Sequence, residues 1–155
     1  MDDKIIINIP TQELRCFRAE TLMKTYRIST AANGVGEKKA SFQTPRGWHI
    51  IRAKIGEGQP KGTSFIGRRP KGLYSPDQGQ KDWILSRILW LSGLEIGKNR
   101  LGDCDTMQRY IYIHGTPKDN PVGEPHSKGC IRMHCDDVID LFNNISVGTK
   151  VLIQG

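Results

Sequence analysis

A chain of 155 residues with 37% apolar and 25% charged residues holds enough apolar side chains for one packed domain, without disulfide or metal staples. Its net charge of +7 is spread without a dense basic block or a stacking motif, which argues against nucleic acid as the main partner and favours a small anionic substrate. Four unpatterned cysteines, Cys16, Cys104, Cys130 and Cys135, exclude a disulfide framework and read as free thiols.

The chain begins Met1-Asp-Asp-Lys, and the apolar run that follows is only Ile5-Ile-Ile7. A secretory leader needs a basic start and an apolar stretch of roughly 7–15 residues. A cytoplasmic location is therefore expected, or a periplasmic one if a leader has been removed. The apolar stretch from Trp83 to Leu94 is broken by Ser86, Arg87, Ser92 and Gly93, so no membrane span is expected.

The first two thirds read as short strands. Lys4–Ile9 is β-branched and stops at Pro10. Gln12–Arg18 and Leu22–Thr30, separated by Glu20-Thr21, predict a hairpin in which Tyr26 and Ile28 share a face opposite Arg27. A polar, Gly-bearing loop follows over 30–41. Trp48–Ile55 alternates, with Ile51, Ala53 and Ile55 on one face and Arg52 and Lys54 on the other. Residues 56–82 are rich in Gly, Pro and basic residues and predict a long loop. Trp83–Leu91 and Gln108–Ile113 predict buried strands, the second delivering His114.

One helix is predicted near residues 136–145, because Val138, Leu141, Phe142 and Ile145 fall at i, i+3, i+4 and i+7. Asp136 is its expected N-cap, with Asp137 in the first turn. Gly148 follows, and Thr149–Ile153 closes the chain with a strand. The fold class is a single mainly β domain over 1–155 with one packed helix.

The chemistry concentrates in His126-Ser-Lys-Gly-Cys-Ile-Arg-Met133 and the upstream Tyr112-Ile-His-Gly-Thr116. A thiol beside glycine, with an imidazole on a separate apolar segment, has the makings of a nucleophile and base. A free thiol has a pKa of about 8.5, so only about 3% is thiolate near neutrality. An adjacent imidazolium raises that at most about thirtyfold, and cleaving an amide needs more. Backbone donors to the developing oxyanion supply about 10²–10³ each. The N–H groups of Gly129 and Cys130 are the candidates, since Gly129 allows a sharp turn and close approach. His114 needs a group to fix its tautomer, and the Gly115 carbonyl is nearest by position. Arg132 falls on the side of Cys130 in an extended segment and suits a substrate carboxylate. The duller alternatives are an inert buried cysteine, a satisfied core histidine and a solvated arginine. A zinc site from His126, Cys130, His134 and Cys135 matches no familiar module, and no metal or cofactor is expected.

Ser127-Lys-Gly-Cys-Ile-Arg-Met133, with Ile113-His-Gly-Thr116 upstream, resembles the signature of the YkuD-type L,D-transpeptidases. Thr44-Pro-Arg-Gly-Trp-His-Ile50 and the terminal Val147-Gly-Thr-Lys-Val-Leu-Ile153 resemble further segments of that family, so the resemblance runs from about Ile5 to Ile153. It implies a β-sandwich-like fold with a long cleft. It implies Cys130 as nucleophile, His114 as base, the Gly115 carbonyl as the orienter of the base, and Ser127 as a shaper of the site. Arg132, with His126 and Lys128, would face substrate. Lys128 departs from the pattern, because many members carry His there. The implied substrates are murein stem tetrapeptides or muropeptides, attacked at the L-centre of a diamino acid linked to terminal D-alanine.

The missing leader favours soluble tetrapeptides and water as the acceptor, an L,D-carboxypeptidase of murein recycling. The alternatives are an L,D-transpeptidase that forms peptidoglycan cross-links, and a non-catalytic module binding anionic glycans or nucleic acid.

Overall fold

The computed structural model describes residues 3–155. Its strands are β1 (Asp3–Asn8), β2 (Glu13–Arg18), β3 (Thr21–Arg27), β4 (Gly47–Ile55), β5 (Thr63–Ile66), β6 (Arg69–Leu73), β7 (Leu85–Gly93), β8 (Tyr112–Thr116), β9 (Ile131–His134) and β10 (Lys150–Gln154). Among the described residues a single α-helix, α1 (Cys135–Asn144), lies between the last two strands. All ten strands join one sheet in the order β3-β2-β1-β10-β4-β7-β5-β6, with β8 also pairing β7 and β9 pairing β8. The sheet curls on itself: Ser29, just past β3, bridges Arg132 of β9, and Ala31 bridges Ser127. The mainly β fold with one packed helix is as the sequence implies.

Inside the curl lies one core. Ile5, Ile7, Leu14, Ile28, Ile51, Leu89, Leu91, Ile113, Ile131, Met133, Val151 and Ile153 meet Val138, Leu141 and Phe142 of α1 there. These helix residues recur every three to four positions, so one stripe of α1 covers β7, β8 and β9. Leu141 is fully buried, and such leucines lose about 2–5 kcal/mol on truncation to alanine.

Several sequence expectations change. The alternation of β4 does not run through: a bulge between Ile51 and Ala53 resets its register against β7. Ile51 opposes Leu91 in the core, whereas Ala53 opposes Trp90 and Ile55 opposes Ile88 on the opposite face. Lys54, expected outward, lies over the Phe142 ring at 4.3 Å and donates to the Ile145 carbonyl.

The predicted loop over 56–82 contains the β5–β6 hairpin and a short 3₁₀ turn over Pro76–Gln78. Its strands escape a pattern search because β6 is an exposed edge strand and carries Pro70, which only such a strand tolerates.

The strand expected over 108–113 begins instead at Tyr112. Asp105 gathers the preceding residues into a turn, accepting from the N–H groups of Leu101 and Gln108. His114 therefore lies inside a strand rather than at its end. The helix N-cap is His134, not Asp136, because β9 passes into α1 without a loop. Asp136 falls in the first turn and pairs with Lys61.

A fully buried histidine ties the sheet to the loop that leads to the site. His49 on β4 bonds the Gly47 carbonyl through Nδ1 and Thr106 Oγ1 through Nε2. Burial lowers its pKa from 6.5 to about 4. As pH falls below 6.5 the unfolded chain takes up this proton first, so stability is lost between pH 6.5 and about 4. The expected loss is about 3 kcal/mol. Urea midpoints of the wild type and of His49→Gln, taken across this window, test it, because the variant lacks this part of the acid sensitivity.

Candidate active site

The functional side chains come from the face of the sheet opposite the helix. Alternation along β8 sends Ile113 into the core and leaves Tyr112 and His114 on the other face. In β9, Ile131 and Met133 enter the core, which leaves Arg132 with Cys130 just before it on the outer face. The register sets Ile88 opposite His114 and Trp90 opposite Tyr112 on one side, and Arg132 opposite His114 on the other. Cys130, Phe65, Ile88, Tyr112, Ile55, Ile84 and Trp90 form a second apolar cluster on this face.

His114 is fully buried. Its Nδ1 lies 2.7 Å from the Gly115 carbonyl oxygen. A carbonyl only accepts, so Nδ1 carries the proton and Nε2 presents its lone pair. Nε2 is buried with no hydrogen-bond partner among the described residues. Burial lowers the pKa of this imidazole, and the contact with Gly115 opposes the shift. The ring is a neutral base with its accepting nitrogen free.

Cys130 is half-buried. Its Sγ accepts from the Tyr112 N–H at 3.3 Å and donates to the Tyr110 carbonyl at 3.4 Å. Burial pushes the thiol up to about 12; the Tyr112 N–H, Arg132 and Arg109 pull it down, and Asp82 pushes it up. Burial thus favours the neutral form of both groups, thiol and imidazole.

The loop carrying the thiol is fastened from two sides. Ser127 Oγ donates to the Cys130 carbonyl at 2.6 Å and accepts from the Gly129 N–H at 3.2 Å. Thr44 Oγ1 donates to the Gly129 carbonyl and accepts from the Ala31 N–H. Gly129 has φ 135°, which favours glycine over any residue with a Cβ. Its N–H, expected to face an oxyanion, is engaged by Ser127 in this geometry.

Arg132 is buried, and its Nη2 pairs with Asp82 Oδ1 at 2.6 Å. Its Nη1 donates to the His126 carbonyl. A substrate carboxylate at Arg132 would have to displace one already in place. His126 reaches this group through its backbone; its side chain is half-exposed and lies 3.4 Å from Glu124. Lys128 is exposed. Among the described residues no three His, Cys, Asp or Glu side chains gather as metal ligands, so His126, Cys130, His134 and Cys135 form no such cluster.

Sequence reasoning did not find Asp82, Arg109 or the anchoring bond of Thr44. Arg109 sits between loops, bonding the carbonyls of Gly36 and Gln43 and the hydroxyl of Ser41. No local motif marks Asp82 or Arg109, since both meet the site through tertiary contact. Thr44 did carry a signal, in the Thr44-Pro segment.

The fold and this face define a cysteine-bearing catalytic domain. The family model of the YkuD L,D-transpeptidase catalytic domain matches residues 2–153, and the chain belongs to that family. It is 58% identical over 152 residues to "Putative L,D-transpeptidase YqjB" of Bacillus subtilis (strain 168), covering 98% of this chain and 71% of the relative. It is 29% identical over 150 residues to "Putative L,D-transpeptidase YkuD" of Bacillus licheniformis, covering 97% of this chain and 64% of that one. L,D-transpeptidase 3 from Mycobacterium tuberculosis shares the fold, with a TM-score of 0.63 at 14% identity over 99% of this chain and 61% of its own.

Proposed function

We propose that the chain transfers the acyl group of a murein stem tetrapeptide through a thioester on Cys130. The observation that carries this reading is the unpartnered, buried Nε2 of His114 on the face that bears Cys130. Cys130 Sγ attacks the carbonyl of the diamino acid L-centre and gives its proton to His114 Nε2. The bond to D-alanine breaks, and His114 returns the proton to the departing amine. An acceptor then attacks the thioester, losing its own proton to His114, and the thiol is restored. An amine acceptor gives a cross-link; water gives the shortened tripeptide of an L,D-carboxypeptidase. The likeness to relatives named as L,D-transpeptidases supports the amine, and the same thioester serves both.

Incubation with a murein tetrapeptide, with and without an acceptor peptide, tests this by mass. A dimer identifies transfer to an amine, and tripeptide alone identifies hydrolysis. Unchanged tetrapeptide in both arms would refute acyl transfer. A carbapenem adduct on intact mass, absent in Cys130→Ala, locates the reactive sulfur.

A further inference from the structure

The guanidinium groups packed around this face differ in what they already hold. Arg132 is neutralised by Asp82. Arg109 is bound to three oxygens of neighbouring loops. Arg68 stands apart: it donates from Nη1 to Tyr112 Oη at 3.0 Å and pairs with no carboxylate among the described residues.

Arg68 also lies across aromatic faces, 4.7 Å from the Trp90 ring centroid and 5.0 Å from that of Tyr110. Trp90 in turn contacts Tyr110 and Tyr112 at 6.0 and 5.9 Å. The two tyrosines that seat Arg68 are the two whose backbones hold the Cys130 sulfur. Arg68 is therefore one tyrosine side chain away from the reacting atom. Arg52, 5.6 Å from the Trp90 centroid, adds a second positive charge.

The backbone supplies an independent sign. Ile66 pairs with Arg69, so Gly67 and Arg68 form a two-residue hairpin turn. Both have positive φ, 56° and 65°. Such turns favour Asn and Gly, and a long side chain at positive φ is uncommon. The turn itself does not call for an arginine. Its place at the tip, above the rings, does.

We propose that Arg68 is a specificity residue of the acyl-transfer site. Its guanidinium receives a free carboxylate at the end of the donor's diamino acid side chain. It thereby selects donors ending in a second amino-carboxylate over donors ending in a carboxamide or a plain amine. The planar fork of arginine matches a carboxylate in two hydrogen bonds, whereas a carboxamide offers one acceptor and no charge. Tyr112 links the two ends, its N–H on the Cys130 sulfur and its hydroxyl on Arg68, and the proposal lays the diamino acid side chain along it. This assignment rests on the acyl-transfer reading for its ligand.

The test is a binding titration on the Cys130→Ala protein, which needs no turnover. Three tetrapeptides are compared, alike except for a side chain ending in carboxylate, carboxamide or amine. The carboxylate peptide is expected to bind about tenfold to a hundredfold tighter than the carboxamide. Arg68→Asn suits the turn, so its melting temperature should not fall, and it should collapse that ratio to near one. Arg68→Lys, which keeps charge without the fork, should retain part of the preference. The assignment is overturned if the three peptides bind alike, if none binds, or if Arg68→Asn keeps the preference. Turnover by the Cys130-bearing protein separates the two readings. Selective binding without D-alanine release would sink acyl transfer and leave the carboxylate site standing. Equal turnover of all three peptides would do the reverse.

Discussion

Replacing Cys130 with alanine is expected to abolish the thioester and lower turnover by about 10⁴–10⁶, the scale seen when a covalent nucleophile is removed. The fold should survive, because the sulfur makes only two long hydrogen bonds and the loop is held by Ser127 and Thr44 instead. A melting curve close to wild type, with no acyl mass shift, is the combined expected result. Retained turnover in Cys130→Ala would refute the assignment. His114→Gln should fall nearly as far, and the double variant no further than the worse single one, since the two residues act as a unit.

The pH profile follows from the same geometry. In the proposed mechanism His114 acts while neutral, and burial lowers its pKa below the ordinary 6.5. The acid limb of kcat/KM therefore lies below 6.5. The thiol, held up at about 12, loses its proton to His114 during the reaction rather than beforehand. The rate should stay level from about pH 6.5 to 9. A rise in rate centred above 6.5 would show that a standing thiolate, not base catalysis by His114, carries the reaction.

Legibility of the sequence depended on how local each signal was. The stripe of Val138, Leu141 and Phe142 specified α1 because a single helix face carries it. Cys130 and His114 were visible because each sits in a short run with glycine beside it, and the sheet register then set them on one face. The carbonyl of Gly115 was found by adjacency. The β4 bulge at Ile51 and Ala53 was hidden, since a two-residue period says nothing of a one-residue insertion. The β5–β6 hairpin was hidden because its edge strand buries nothing and so has no alternating pattern. Asp82 stands in a basic, Gly- and Pro-rich stretch; only the pairing of β8 with β9 and the placement of β7 bring it to Arg132.

That pairing sets up the other large effect. Asp82→Ala should leave the Arg132 guanidinium buried beside Cys130 without its carboxylate, and its Nε already lacks a partner. Breaking one half of a fully buried pair costs about 3–5 kcal/mol. Asp82 keeps a third of its side-chain exposure, so a loss of about 2–3 kcal/mol is expected in urea unfolding. The same change should make the thiol more reactive. Asp82 raises the pKa of Cys130 and Arg132 lowers it, so removing the carboxylate pulls the thiol down and speeds alkylation by iodoacetamide at a fixed alkaline pH. Arg132→Met should slow it, and should cost less stability, because the partly exposed carboxylate it strands can be hydrated. The double variant should recover much of what Asp82→Ala loses, the mark of coupled neighbours. If both single variants shift alkylation in the same direction, the pair acts by positioning the loop before β7 rather than by its field at the sulfur. Opposite shifts identify Asp82 and Arg132 as opposing charges at the sulfur, Asp82 holding the Cys130 proton and Arg132 easing its loss.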